Sequence, residues 1–176
     1  IAIDHPFWLS KYPVTNSQYE QFMNAGGYSN RDLWSDEGWK WREAEGVISP
    51  DYWRTAAFNS PTQPVVGVSW WEAEAFCRWA SGFLPTQQQW EAAARGPEGF
   101  DYPWGDTWED GICNSYEVGL KGTSVVGTFP SSRSPLGLED LVGNVWERCA
   151  DQSETSVTFR VSRGGCWEED SKLCHA

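Results

Sequence analysis

Thiols, imidazoles and hydroxyls are the side chains that would act as nucleophiles or bind a transition metal in this chain. Its five cysteines form an odd, widely spaced set, with no clear disulfide framework and no CxxC zinc pattern. His5 and His175 lie near opposite ends, and neighbours such as Cys174 and His175 would face opposite sides of a strand. Ser69 lacks the second glycine of a nucleophile elbow. We therefore expect mostly reduced thiols, a cytoplasmic location and no Cys–His dyad.

Carboxylates around a tight turn form a second candidate site, in the segment DLVGNVWE (residues 140–147). Asp140 and Glu147 supply carboxylates, and a turn at Gly143 would direct backbone carbonyls inward. Such hard oxygen ligands suit Ca²⁺. The alternative, a structural turn anchored by Trp146 that binds no ion, stays open.

The charge balance restricts the partners. There are 13 basic and 25 acidic side chains, a formal net charge of −12. A duplex-binding protein needs a basic face, and an anionic membrane also attracts basic segments. No apolar run approaches the length of a bilayer span, and the first ten residues show no signal-peptide pattern. We expect no nucleic-acid or membrane partner, and 176 residues fit a single domain over 1–176.

Helix caps identify the elements that must position these residues. Capping boxes with a glutamine or glutamate three residues on predict helices that begin after Thr15, Ser69 and Thr86. Short strands are predicted at 65–68, 125–129 and 159–163. Residues 28–64 are predicted to form an ordered loop pinned by indoles. The result is an α+β domain with little regular secondary structure.

Six phrases in order resemble the formylglycine-generating enzyme/sulfatase-modifying factor family. They are KYPVTNSQYEQF (11–22), QPVVGVSWWEAEAFCRW (63–79), LPTQQQWEAAARG (84–96), YPWGD (102–106), SPLGLEDLVGNVWE (134–147) and RVSRGGCW (160–167). The resemblance implies a variant of the C-type lectin fold. It is more specific for the fold than for an activity, because one fold hosts many functions.

The resemblance argues against a copper site. In the resembling oxidases two cysteines, five residues apart after the RGG turn, bind Cu(I) and oxidise a substrate cysteine with O₂. Aligned on that turn, the second cysteine is Cys174, but the first position is Glu169, a hard ligand unsuited to Cu(I). Cys166 lies three residues too early. We expect no copper, and interpret Cys166 and Cys174 as small buried hydrophobic residues, although a shifted pair that meets in space stays open.

The resemblance also implies calcium sites. It places one set of ligands at Asp140, Gly143, Val145 and Glu147, the middle two through their carbonyls. A second set would be Asn114, Ser115 and Leu120. The acidic ligand expected two residues before Leu120 is Val118 here, and Glu117 could substitute only if the backbone moved.

Resembling domains place their ligand surface near the RGG turn, which Trp167 follows. We predict a ligand-binding surface at Trp167, Glu168, Glu169 and Asp170, whose acidic rim suits a basic or neutral protein or small molecule. Other indoles outside the predicted helices would be binding anchors or, more often, would fill a thin core. These indoles are Trp34, Trp39, Trp41, Trp53 and Trp108.

Departures from the family pattern leave several functions open. The match begins late and stops early, and the joins near 80–84 and 151–152 look short, so we expect loops and a tail to be absent from this sequence. We favour a non-catalytic ligand- or protein-binding module, such as a variable protein of a diversity-generating retroelement or a sensor domain. The alternatives are a copper-dependent formylglycine-generating oxidase and a structural domain of a larger protein. Related sulfoxide synthases of thiol-histidine biosynthesis pair this domain with a separate iron-binding domain, and the two histidines here cannot form a multi-histidine iron site.

Overall fold

The computed structural model describes residue 3 and residues 5–153 and 156–176. These divide into two compact units, one of residues 14–84 and the other of residues 1–13 together with 85–176. The described part contains four α-helices, three 3₁₀ helices and one two-stranded sheet. In these ranges no helix is long and apolar enough to cross a membrane.

The unit of residues 14–84 contains three α-helices. They are α1 (Asn16–Asn24), α2 (Asp36–Glu45) and α3 (Trp70–Trp79), with a 3₁₀ helix at Arg31–Leu33. The predicted capping boxes at Thr15 and Ser69 are both confirmed, with the cap side chain accepting from the N3 amide and the N3 side chain accepting from the cap amide. Local sequence therefore defines where α1 and α3 begin.

Aromatic side chains fill the core of this unit. Tyr19 and Phe22 of α1 pack edge-to-face at 5.2 Å between ring centroids, and Tyr19 stacks on Phe76 of α3 at 5.3 Å. Glu72, 2% exposed, lies in this apolar region and accepts hydrogen bonds from Tyr28 Oη at 2.5 Å and from the Ser69 amide at 2.7 Å. Burial raises the pKa of the Glu72 carboxyl group, and this effect is larger than the opposing effect of the two hydrogen bonds, which lower the pKa.

The other unit combines a helix with a hairpin. α4 (Gln87–Arg95) begins at the third predicted capping box, on Thr86. The antiparallel strands β1 (Glu147–Ser153) and β2 (Ser156–Arg163) pair Glu147 with Arg163 and are interrupted by register shifts between Arg148 and Ser153. Two 3₁₀ helices lie between α4 and β1, at Tyr116–Val118 and Pro130–Ser132. Trp90 of α4 is fully buried against Leu138, Leu141 and Cys149.

Two predicted strands are wrong, while 159–163 is confirmed as part of β2. Residues 65–68 and 125–129 form no strand, because each contains a glycine with positive φ, +71° at Gly67 and +74° at Gly127. That left-handed conformation interrupts an extended chain.

The prediction for residues 28–64 missed α2, whose N-cap is Ser35 and whose last residue precedes Gly46 in the left-handed conformation. The ordered character of this stretch is nevertheless visible in Trp34, which is buried and donates from Nε1 to the Gly27 carbonyl at 2.9 Å. The other five indoles considered as anchors, at 39, 41, 53, 108 and 167, are partly buried, so part of each contributes to packing.

Candidate functional site

The hairpin leads into a glycine turn that fits closely against the loop before β1. Gly164 has φ +94°, and a Cβ there would lie 2.2 Å from the Leu141 carbonyl oxygen. Gly165 has φ +77°, and its Cβ would lie 2.8 Å from Cys174 Sγ. The Gly143 amide donates to the Gly164 carbonyl at 2.9 Å. Any other residue at either position would place its Cβ too close to a neighbouring atom and would also be strained by the positive φ, so both positions require glycine.

Asn144 holds three segments of this region together. Its side-chain Oδ1 accepts from Asn114 Nδ2 at 3.1 Å and from the Ser124 amide at 2.9 Å. Its amide donates to the Asn114 carbonyl at 2.7 Å, and its own carbonyl accepts from the Trp167 amide at 3.2 Å. Asn144 is 1% exposed with φ +63°, a conformation that asparagine tolerates better than most residues. No sequence signal marks this role of Asn144, although the residue lies inside the DLVGNVWE motif.

Three carboxylates lie in or beside this motif, and one of them is ion-paired. Glu139, 2% exposed, contacts Lys11 Nζ at 3.0 Å and Arg133 Nη2 at 2.6 Å. Burial alone would raise the pKa of Glu139, but the hydrogen bonds from Lys11 and Arg133 outweigh it and hold the pKa below its usual value. The negative charge of Glu139 is thus compensated.

Asp140 and Glu147 differ from Glu139, since neither forms an ion pair within the described ranges. Asp140, 3% exposed, accepts from the Gly127 amide at 2.5 Å. Glu147 accepts from the fully buried Trp90 indole at 2.7 Å. Burial raises the pKa of Asp140, and burial together with repulsion by Asp140 raises that of Glu147 to about 7. Asp140 is buried and Glu147 is partly buried, and both carboxyl groups have raised pKa values, so a nearby divalent cation would favour their ionised forms.

The residues around Asp140 and Glu147 fit a calcium ion. Gly143 has φ +76° and Asp140 has φ +62°, so the loop turns tightly where the two carbonyl ligands, of Gly143 and Val145, are expected. No group of three or more His, Cys, Asp or Glu suited to a metal occurs in the described part. Backbone carbonyls would therefore have to complete the coordination, as is common for Ca²⁺.

The second predicted calcium position lacks its carboxylate. Asn114 Oδ1 is buried without a hydrogen-bond partner, an observation that favours a ligand there. Glu117, however, accepts from Ser115 Oγ at 2.7 Å and from the Ser171 amide at 3.1 Å instead. Val118 occupies the acidic position, and Leu120 is 53% exposed. These residues do not complete a calcium site, and we assign no ion to it.

The two C-terminal cysteines lie near each other, and the Cys174 thiol is directed to the backbone carbonyl of Cys166. Cys174, 0% exposed, directs Sγ to the Cys166 carbonyl at 3.6 Å and to the Glu169 carbonyl at 3.5 Å. Burial raises the pKa of Cys174 to about 12, and it also raises the pKa of the half-buried Cys166. All five cysteines are free thiols. Protonated thiols are poor nucleophiles and poor metal ligands.

The predicted ligand surface lies on a folded segment, residues 166–174, which we term the C-terminal turn. The Glu169 carbonyl accepts from the Tyr116 amide at 2.9 Å, and the Asp170 carbonyl accepts from the Cys174 amide at 3.1 Å. Glu168 is exposed, whereas Trp167, Glu169 and Asp170 are partly buried. Of the predicted binding residues, Glu168 is therefore the one freely available to a partner.

Two exposed apolar side chains beside this segment were missed. Tyr116, 69% exposed, is joined to the C-terminal turn through the bond from its amide, and Leu173, 47% exposed, belongs to the turn itself. No sequence signal marks Tyr116, because its proximity to Glu169 spans more than fifty residues of chain.

Comparison with known proteins identifies the family. The model of the sulfatase-modifying factor enzyme 1-like domain matches residues 1–176. The chain belongs to this family. The match covers both the capped helices and the RGG turn, where the six motifs lie.

Curated relatives include enzymes and an inactive member. Hercynine oxygenase of Mycobacterium tuberculosis is 33% identical over 94% of this chain and 47% of the relative. The inactive C-alpha-formylglycine-generating enzyme 2 of Bos taurus is 33% identical over 92% of this chain and 65% of the relative. Formylglycine-generating enzyme of Bos taurus is 31% identical over 99% of this chain and 59% of its own length. The chain spans about half the length of the hercynine oxygenases it matches.

Solved structures confirm the predicted fold of this domain. Treponema denticola variable protein 1 is similar with a TM-score of 0.65 and 20% identity, over 93% of this chain and 74% of that one. PvdO from Pseudomonas aeruginosa is similar with a TM-score of 0.65 and 20% identity, over 92% of this chain and 68% of that one. At this identity the likeness concerns the fold alone.

Proposed function

We propose that this domain is a non-catalytic ligand- or protein-binding module whose C-terminal turn forms the binding surface. The observation that carries the proposal is the state of Cys174. The thiol aligned with a copper ligand is fully buried, bonded to two carbonyls, and has a pKa raised to about 12. Its expected partner position is Glu169, so the cysteine pair of the resembling oxidases does not occur at its usual spacing, and Cys166 lies three residues earlier.

The exposed groups on the C-terminal turn support a binding role. Glu168 offers a free carboxylate, and Tyr116 and Leu173 offer apolar area beside it. Aromatic and aliphatic anchors next to a charge are typical of recognition surfaces. The chain's net charge of −12 favours a basic partner, and we propose an arginine- or lysine-bearing peptide over an anionic ligand. The likeness in fold to a variable protein is compatible with this proposal.

We also propose that calcium stabilises the loop that precedes β1. An ion held by Asp140 and Glu147, with the Gly143 and Val145 carbonyls, would neutralise the buried charge beside the RGG turn. It would stabilise the loop through Asn144, which bonds to Trp167. We also propose a cytoplasmic location, with which the five free thiols are consistent.

A peptide-oxidation assay tests the non-catalytic proposal. A peptide containing Cys-x-Pro-x-Arg is incubated with the protein, Cu(I) and O₂, and the cysteine mass is measured. The expected result is that no aldehyde forms at the peptide cysteine, with the wild type and with Cys174→Ser alike. Formation of an aldehyde by the wild type, lost in Cys174→Ser, would establish the oxidase alternative instead.

A binding titration tests the location of the surface. Fluorescence anisotropy measures the affinity of a labelled arginine–alanine repeat peptide. Tyr116→Ala and Glu168→Gln are expected to weaken binding by about five- to tenfold, the range of a single good interface contact. Tyr52→Ala, an exposed tyrosine in the other unit, is the matched control. Equal affinity of all four proteins would refute the assignment of the C-terminal turn.

A second candidate function rests on the hercynine oxygenase relatives, which are 28–33% identical over 94% of this chain. Under this alternative the domain contributes one half of a larger enzyme. It predicts that the protein binds hercynine in a calorimetric titration. Absence of heat at millimolar hercynine would favour the binding-module proposal.

A further inference from the structure

A small cavity of about 220 Å³ lies beside α1 in the unit of residues 14–84. Its lining consists of Asn16, Ser17, Glu20, Trp53, Asn59 and Pro61. This volume is below the 300–1,000 Å³ typical of drug-sized ligand pockets, so the cavity suits a single small group or one side chain. None of its residues belongs to the C-terminal turn or to the loop of Asp140.

Asn16 gives this cavity a fixed hydrogen-bond acceptor. The side chain, 5% exposed, donates from Nδ2 to the Phe58 carbonyl at 2.7 Å and to the Ser60 carbonyl at 2.9 Å. Two carbonyl partners define the amide orientation, because only the NH₂ group can donate to both. Oδ1 makes no hydrogen bond within the described ranges, and it is not among the atoms buried without a partner. The oxygen is thus an accessible acceptor on an otherwise buried side chain.

The beginning of α1 provides no site for an anion. The Asn16 amide donates to the Gln63 carbonyl at 2.9 Å, and the Ser17 amide donates to the Pro61 carbonyl at 2.9 Å. The Gln18 amide donates to Thr15 Oγ1 at 3.3 Å. With its first amides occupied, the helix lacks the free donors that bind phosphate or carboxylate groups.

The remaining groups of the lining favour a cation. Glu20 lies one helical turn after Asn16, so both side chains are on the same face of α1. Its carboxylate is exposed and forms no ion pair with any described residue. Trp53 packs partly on Tyr19, with ring centroids 6.2 Å apart, and its indole also lines the cavity. A carboxylate, a carbonyl oxygen and an indole together form the environment that an alkylammonium group prefers.

We propose that this cavity binds an alkylammonium group, supplied by a lysine side chain of a partner or by a free amine. Asn16 Oδ1 accepts one ammonium hydrogen, Glu20 neutralises the charge, and Trp53 packs on the alkyl chain. This site is independent of the binding surface proposed above, since it lies in the other unit and uses different residues.

A titration followed in ¹H–¹⁵N spectra tests the proposal on the whole chain. The probe is Nα-acetyl-lysine N-methylamide, and the observed signal is the Trp53 indole, assigned by its loss in Trp53→Phe. The matched neutral probe is Nα-acetyl-norleucine N-methylamide. The lysine probe is expected to shift the Trp53 signal in a saturable manner, with at least about tenfold higher affinity than the neutral probe.

Variants distinguish the cavity from non-specific attraction to an acidic protein. Glu20→Gln is expected to weaken lysine-probe binding by about two- to fivefold, the range of an exposed ion pair, and the Glu20 side chain forms no ion pair with a described residue. Glu45→Gln, an exposed glutamate at the end of α2, is the control and is expected to leave the affinity unchanged. Equal binding of both probes, or equal weakening by both variants, would overturn the proposal.

The source of the ammonium group is distinguished by a third probe. If n-butylammonium binds more weakly than a lysine flanked by alanines in a short peptide, the ligand is a protein side chain. If n-butylammonium binds at least as tightly, the ligand is a free amine. Failure of every amine to shift the Trp53 signal would refute the site.

Discussion

If Asp140 and Glu147 hold the proposed calcium ion, its removal will lower the stability of the domain by an amount that depends on pH. Without calcium, burial and repulsion raise the pKa of Glu147 from 4.5 to about 7. The folded state then binds a proton more tightly than the unfolded state, so stability falls as pH rises from about 4.5 through 7. The proposed calcium ion would bind the ionised carboxylates and would have the opposite dependence, with stabilisation that grows as pH rises.

The size of each effect follows from linkage. A rise of about 2.5 pKa units corresponds to about 3 kcal/mol of lost stability at pH values well above 7. Calcium at one hundred times its dissociation constant restores about 2.7 kcal/mol. In a domain of this size, 1 kcal/mol shifts Tm by roughly 2–4 °C. The expected rise in Tm at pH 8 is therefore about 5–11 °C, with a smaller rise at pH 6.

Differential scanning calorimetry in EDTA and in calcium, at pH 6 and pH 8, measures these shifts. Glu147→Gln keeps an acceptor for Trp90 but removes one carboxylate, so its Tm should no longer respond to calcium. Glu98→Gln, an exposed glutamate of the same unit, should respond as the wild type does. An identical Tm of the wild type in EDTA and calcium at pH 8 would refute the calcium site.

Three further outcomes follow from buried groups. Glu72→Gln should flatten the expected decline in stability as pH rises above about 4.5, measured by thermal melting, because burial raises the pKa of Glu72 and a glutamine can still accept from Ser69 and donate to Tyr28; an unchanged pH profile would contradict this. Gly164→Ala should lower the free energy of unfolding, measured in urea, by at least about 2 kcal/mol more than Gly119→Ala does. Both glycines have positive φ, but only the alanine at 164 would clash with a backbone oxygen, so equal losses would argue against the close approach. Cys174 should react with a thiol reagent at pH 8 only after unfolding, as peptide mapping would show, and rapid native labelling would contradict its burial.

The helices show which features of the fold can be predicted from local sequence. The three capping boxes are formed by residues three positions apart, so their hydrogen bonds depend on no distant segment. α2 was missed because glycine at its N3 position removes the capping-box signal, although Ser35 still caps it. The apolar runs around Gly67 and Gly127 were misread because hydrophobicity does not reveal a left-handed φ. The Gly127 amide instead donates to Asp140.

The candidate site could be predicted in part. The motif around Gly143 contains both carboxylates, whose types and spacing indicate a calcium site that stays a prediction. Among the described residues, Glu139 forms ion pairs and Asp140 and Glu147 form none, which depends on where Lys11 and Arg133 lie in three dimensions. The cavity beside α1 had no sequence signal, because residues 53–61 reach the helix only through the folded loop.

Sequence alone determined the family, the α+β fold, the caps of three helices and the replacement of a copper ligand by Glu169. These properties follow from residue identity at fixed spacing, which is set by the chain itself. Tertiary structure alone decided that Asn144 joins Asn114 to Trp167 and that the buried Cys174 thiol contacts two backbone carbonyls. It also decided that Asn16 Oδ1, one helical turn before Glu20, forms no hydrogen bond with a described residue. Contacts of this kind depend on the packing of segments far apart in the chain, and the same packing sets the burial that shifts each pKa.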